Sequence, residues 1–282
     1  TDFAMLDTHY YGGIKKYQWV TLPMALHGVI VKKDGTVVKV NIGDKPGDPV
    51  VGVSDLLIHL SGDQMTKKAS EVIGGENLDL LIGSIPMETE DENVKEKVKA
   101  NIMNILTKEY GVEEEDFLSA EIEVVPAGEA KDYGFDRSMI MGYGHDDRVC
   151  AFPSFEAIAV SENPKTTSVC LLVDKEEIGS VGASGMESRF FENTVAEVMN
   201  AAGDYSELKL RRALANSKVL SSDVSAAFDP NFPSVMTKHN TAYFGKGLVF
   251  NKYTGSRGKG GSNDANAEYI GKLREIMDKH EV

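Results

Sequence analysis

The stretch from Ser168 to Gly185, SVCLLVDKEEIGSVGASG, constrains this chain more than any other. Ser168 to Val173 is a short apolar run, the pattern of a buried strand. A strand of that kind needs a sheet around it and helices to cover the sheet. Its end delivers Asp174, Glu176 and Glu177, and small residues follow at Gly179, Ser180, Gly182, Ala183, Ser184 and Gly185. Loops that leave strand ends are where open α/β folds place their chemistry. Adjacent glutamates there can divide the work, one ligating a metal while the other takes a proton from water. Taken alone, the pair reads first as a solvated acidic turn.

Two further acidic sites share this setting. Asp146-Asp147 stands in GYGHDDRVCAF, and Asp223 stands in VLSSDVSAAFDPN. Each lies where an apolar stretch ends or a helix begins. Taken singly, each is a surface charge or a helix cap, and Asp146 suits the start of the helix that follows. Together, such positions can converge on one crevice. Carboxylates brought that close repel unless a cation lies between them. A two-metal hydrolytic centre, with ions about 3.5–4 Å apart, is the arrangement that resolves the repulsion.

The remaining pattern divides near Pro126-Ala-Gly128. Before it, hairpin-joined strands dominate. The Lys33-Asp-Gly35 turn between Val29-Ile-Val31 and Val37-Val38 is a strong hairpin signal. Val50 to Leu60 reads as a strand end and a short helix capped by Ser54. Leu78 to Ile82 and Ala120 to Val125 read as strands, and Glu92 to Tyr110 as a helix stopped by Gly111. After the division, strands and helices alternate. Helices are expected over 147–160, 189–202, 205–216 and 263–280, and strands over 166–173, 218–220 and 242–251. That alternation is the signature of an α/β sandwich.

Charge and cysteine usage bound the function. A net charge of −14 argues against a nucleic-acid partner, which needs a basic surface. It suits cations or substrates with a free amine, although solubility alone explains most of it. Cys150 and Cys170 lie in apolar surroundings and read as buried thiols of a reducing, cytoplasmic compartment. No run has the length of a membrane span. The chain opens at Thr1 and stops just after a helical pattern, so both ends read as cut from a longer protein. The glycine-rich Gly255 to Gly261 lacks the ending of a phosphate loop and reads as a loop before the last helix.

The blocks GHDDRVCAFPSFEAI, LLVDKEEIGSVGASG, SSDVSAAFDPNFP and GKGLVFNKYTGSRG, with THYYGGIKKYQW and VSDLLIHL upstream, are similar to those of a known family. The chain resembles the aspartyl aminopeptidase and vacuolar aminopeptidase family of di-zinc metallo-aminopeptidases, as a bacterial member. The resemblance implies a three-layer α/β sandwich catalytic domain of the zinc-exopeptidase type with an inserted, β-rich α+β dimerisation domain. In this sequence it implies residues 1–16 as the end of an N-terminal catalytic segment or linker. It further implies 17–130 as the dimerisation domain and 131–282 as an incomplete catalytic domain.

It also assigns roles. Asp146 matches the carboxylate bridging two Zn2+ ions, Glu177 a terminal ligand of one, and Asp223 a terminal ligand of the other. Glu176 matches the general base. His59, in VSDLLIHL, stands where a family histidine reaches into a partner subunit's active site. Without the resemblance, His59 is a helix-face histidine with no role. Two histidine ligands of the family, one in a His-x-Asp motif, have no counterpart here. His9, His27, His145, His239 and His280 stand in other contexts. Ala227 also stands where many relatives carry a histidine.

The implied activity is hydrolysis of the first peptide bond of a peptide substrate, by a homo-oligomer that is commonly a dodecamer. Co2+ or Mn2+ suit such ligands as well as Zn2+. Two other readings stand beside it: a non-catalytic assembly protein of the same fold, and another metal-dependent hydrolase such as a deacylase or carboxypeptidase.

Overall fold

The computed structural model describes residues 3–10, 12–237, 241–252 and 265–282. They fall into two compact units, Thr1–Ser221 and Ser222–Val282. Both sheets and helices are present, as the expected α/β class requires.

In the first unit, β1 (Ala4–Leu6) pairs antiparallel with β4 (Leu80–Gly83). A three-stranded antiparallel sheet has the order β3-β2-β5, with β2 (Met24–Val31) between β3 (Val37–Ile42) and β5 (Ala120–Pro126). The Asp-Gly turn forms as expected. Val31 faces Val37, Gly35 takes φ +85°, and Lys32 N donates to the Thr36 carbonyl at 2.8 Å. One face of this sheet buries Ile30 and Val40 with Val112. A neighbouring cluster gathers Val20, Val53, Ile73, Leu78 and Leu80, with Trp19 packed against it.

Helix α1 (Lys97–Tyr110) starts five residues later than its periodicity suggests. Before it, the Asp91 carboxylate accepts the Asn93 backbone N–H at 2.9 Å, and Glu92 and Asn93 form a turn. Gly111 ends the helix at φ +66°, its N–H reaching the carbonyls of Leu106 and Thr107. Over 54–60 the expected helix reduces to a single 3-10 turn, Ile58–Leu60, and Ser54 does not cap it.

Beyond the sheet, a small hairpin joins β6 (Lys131–Tyr133) to β7 (Met139–Met141). Helices α2 (His145–Ala159), α3 (Phe190–Ala201) and α4 (Glu207–Asn216) follow. Ser206 caps α4, its side chain accepting from Lys209 N. The second unit contains α5 (Ala267–His280), capped by the Asn266 side chain. It also holds a parallel bridge between Ala227 and Ala242, beside stacked rings of Phe228 and Tyr243 5.6 Å apart.

Three segments expected as strands form no ladder: 166–173, 218–220 and 242–251, apart from the bridge at Ala242. Most of their apolar side chains remain exposed, Leu172 at 62% and Leu220 at 64%. A strand exists through a partner's backbone groups, and none of the described residues supplies them here. Cys150 and Cys170 are half-buried rather than buried. The glycine-rich Gly255 to Gly261, His239, and the expected helix start at Asn263 lie outside the described residues. Among the described residues, no helix is long and apolar enough to cross a membrane.

Candidate metal centre

Asp146 and Asp147 stand at the entry of α2 but outside its regular backbone. Their φ/ψ values, −81°/111° and −116°/28°, are not helical, so the chain bends here before the helix proper begins. Gly144, at φ +73°, makes the preceding turn. His145 Nδ1 donates to the Ile140 carbonyl at 3.2 Å, tying the bend to β7. Tyr143 meets the Trp19 ring edge-on at 6.4 Å. A cap was one expectation for Asp146, but no side chain caps this helix. The bend sets the two carboxylates apart from helix capping and brings an oxygen of each within 4.8 Å of the other.

The environment of that pair fits a cation. Asp147 Oδ1 is buried and has no hydrogen-bond partner among the described residues. A buried carboxylate oxygen without a partner beside a second carboxylate is a costly arrangement. A bound cation removes both penalties, and oxygen donors suit zinc as well as harder metals. The sequence signal for Asp147 was its adjacency to Asp146; only the structure shows its orphaned oxygen.

The glutamates are presented differently. Glu176-Glu177-Ile178 form one 3-10 turn between Lys175 and Gly179, both left-handed at φ +68° and +93°. Lys175 O accepts from Ile178 N at 3.3 Å and Ser180 N at 2.7 Å, and Glu176 O accepts from Gly179 N at 2.9 Å. The turn is thus fixed by its backbone while both glutamate side chains face solvent. Lys175 Nζ pairs with Asp174 Oδ2 at 3.1 Å. The Asp174 carboxyl is held below its ordinary range, chiefly by hydrogen bonds from the Lys175 backbone and side chain. Gly12 lies against this turn. A Cβ on Gly12, at φ +77°, stands 3.8 Å from the Glu177 carbonyl oxygen.

Among the described residues, neither glutamate joins a cluster of three or more metal-ligating side chains within 4.8 Å. Asp223 belongs to the second unit, where its exposed carboxylate accepts the Val224 backbone N–H at 2.6 Å. His59 sits on the exposed turn Ile58–Leu60, not on the face of a longer helix.

Comparison with known proteins places the chain in a family. The chain matches the family described as aminopeptidase I zinc metalloprotease (M18) over residues 1–281. It is 67% identical over 282 residues to a probable M18 family aminopeptidase 1 of Clostridium acetobutylicum, covering all of this chain and 60% of that protein. The crystal structure of aminopeptidase I from Clostridium acetobutylicum superposes with a TM-score of 0.91 at 64% identity, over all of this chain and 60% of that one. An M18 aminopeptidase from Thermotoga maritima gives 0.93 at 43% identity, covering 61% of that chain. The fold is therefore that of M18 aminopeptidases, and the chain spans about 60% of the length of the relatives it matches. With a family model covering residues 1–281, this chain belongs to the M18 family of aminopeptidase I zinc metalloproteases.

Proposed function

We propose that this chain contributes most of a co-catalytic two-zinc centre to a metal-dependent aminopeptidase. One observation carries the reading: beside Asp146, the buried Asp147 Oδ1 has no partner among the described residues, in a chain of a zinc metalloprotease family. Asp146, Glu177 and Asp223 would hold the zinc, Asp146 as the shared ligand and Glu177 and Asp223 as the terminal ligands. Zinc bound there supplies a Lewis acid and lowers the pKa of water toward neutrality.

Glu176 is the general base. Its side chain is exposed at the end of a rigid turn, so it can take a proton from the attacking water. It then returns that proton to the leaving amine of the first peptide bond. The acidic surroundings favour the protonated amino end of the substrate, which confines cleavage to the amino terminus.

The domain reading follows the same line: 1–16 as the end of a catalytic segment or linker, 17–130 as a dimerisation domain, 131–282 as catalytic. The β3-β2-β5 sheet and α1 all fall inside 17–130. His59 is the residue that reaches a partner subunit. Support comes from its exposed turn, where Leu56, Leu57, Ile58 and Leu60 are also uncovered. A solved Saccharomyces cerevisiae relative, 21% identical, is a dodecamer, and the same assembly is proposed here, in the cytoplasm.

The test uses the chain extended to the length of its relatives. Amino-acid anilides with a free amine should be cleaved, N-acetylated ones should not, and a chelator should stop the reaction. Equal cleavage of acetylated anilides would mean a deacylase or another hydrolase on this scaffold.

A further inference from the structure

We propose that Gly185 is a positioning residue for Glu176 and Glu177, acting through the Ser180 carbonyl; the proposal rests on the roles assigned to those glutamates above. Gly185 is buried, although Ala183, Ser184 and Met186 around it are exposed. A Cβ on Gly185 would stand 2.0 Å from Ser180 O, 2.4 Å from Ser180 C and 2.7 Å from Val181 O. All three atoms are backbone, so no side chain can rotate away. The bare Cα is what lets residues 184–187 fold back onto Ser180.

That fold-back closes a ring. Ser180 O accepts Glu187 N at 3.1 Å, and Ser180 N donates to Lys175 O at 2.7 Å. At the other end, Asp174 N donates to Ser184 O at 3.2 Å, and Ser184 Oγ donates to Asp174 Oδ2 at 3.4 Å. The turn Glu176–Ile178 lies inside the ring, between the two anchor residues Asp174 and Ser180. Lys175 and Ser180 hold left-handed conformations, at φ +68° and +59°, that non-glycine residues adopt only when their surroundings enforce them. Gly185 supplies that enforcement at Ser180. A ligand and a base on neighbouring residues both depend on the aim of this one turn, and misplacement near 1 Å is costly at a reacting centre.

The experiment compares Gly185→Ala with the parent, both in the chain extended to its relatives' length. Zinc affinity is read by competition with a chelator, and ligand geometry by the visible absorption of the Co2+-substituted protein. Gly185→Ala should bind zinc about 10–100-fold more weakly, as loss of a ligand-orienting contact does. Its Co2+ bands should shift, and kcat should fall with KM little changed. Ser184→Ala, which removes only a hydroxyl, should shift the same bands by less, and serves if Gly185→Ala does not fold. Gly203→Ala tests for a merely structural effect: Gly203 has φ +72° and nothing within 4 Å of a Cβ, after α3. It should lose stability and leave zinc affinity and the Co2+ bands unchanged. Parent-like zinc affinity and Co2+ bands in both Gly185→Ala and Ser184→Ala overturn the proposal. So does an equal loss of zinc affinity in Gly203→Ala. A parent that binds zinc yet cleaves no free-amine anilide defeats the aminopeptidase reading instead, and Gly185 is then judged on zinc affinity and the Co2+ bands alone.

Discussion

Glu176→Gln should keep fold and zinc while lowering kcat by about 100- to 10,000-fold, the usual worth of a general base. The substitution is isosteric and the side chain is exposed, so no packing is lost. The turn it sits on is held by backbone bonds: Ile178 N and Ser180 N to Lys175 O, and Gly179 N to Glu176 O. None of these involves the Glu176 carboxylate. An amide cannot accept the proton of the attacking water, so only the chemical step suffers. Zinc content stays at the parental value because Asp146, Glu177 and Asp223 are untouched. Glu177→Gln makes the contrast: it removes a ligand, and metal and activity should fall together. Appreciable turnover in Glu176→Gln refutes the base assignment, and zinc loss in it moves Glu176 among the ligands.

Gly28→Ala should destabilise the first unit by about 3 kcal/mol, the upper range for an overpacked site. Gly28 lies in the central strand of β3-β2-β5, opposite Ile122. A Cβ there would stand 1.9 Å from Glu121 O and 2.9 Å from Ile122 Cα. Both are backbone atoms of β5, so the ladder must part to admit the methyl group. Gly35 in the β2–β3 turn is the comparison. It has φ +85° and nothing within 4 Å of a Cβ, so Gly35→Ala should cost only the left-handed penalty of about 1 kcal/mol. Urea denaturation midpoints measure both. A Gly28→Ala midpoint equal to that of Gly35→Ala would show that β5 gives way without cost.

What the sequence made legible was local chemistry. Asp34-Gly35 fixed a hairpin because its turn geometry is written into two residues, and Gly111 ended α1 for the same reason. The start of α1 was misplaced because a helical period extends through 92–96, whereas Glu92 and Asn93 form a turn and residues 94–96 are irregular. Segments 166–173, 218–220 and 242–251 show the opposite limit. Their residues favour extended chain, but pairing depends on a neighbour that a single segment does not encode.

The site divides along the same line. The acidic pairs were visible as residue types leaving apolar stretches. Their presentation was not: Asp146 and Asp147 stand at the bent entry of a helix without capping it, and the glutamates sit on one turn bounded by left-handed residues. Gly185 was one small residue among several in the sequence. Its contact with Ser180 arises from a chain reversal that composition does not reveal.

The most direct test of the central claim is the zinc content of the chain extended to its relatives' length, set beside that of the 282-residue chain. On the proposed assignment, Asp146, Glu177 and Asp223 are three ligands of a centre that needs more. The extended protein should therefore hold close to two zinc ions per chain, and the shorter one should bind zinc weakly. Equally tight binding by both would show that the proposed ligand set is wrong, and no zinc in the extended protein would make the acidic residues structural.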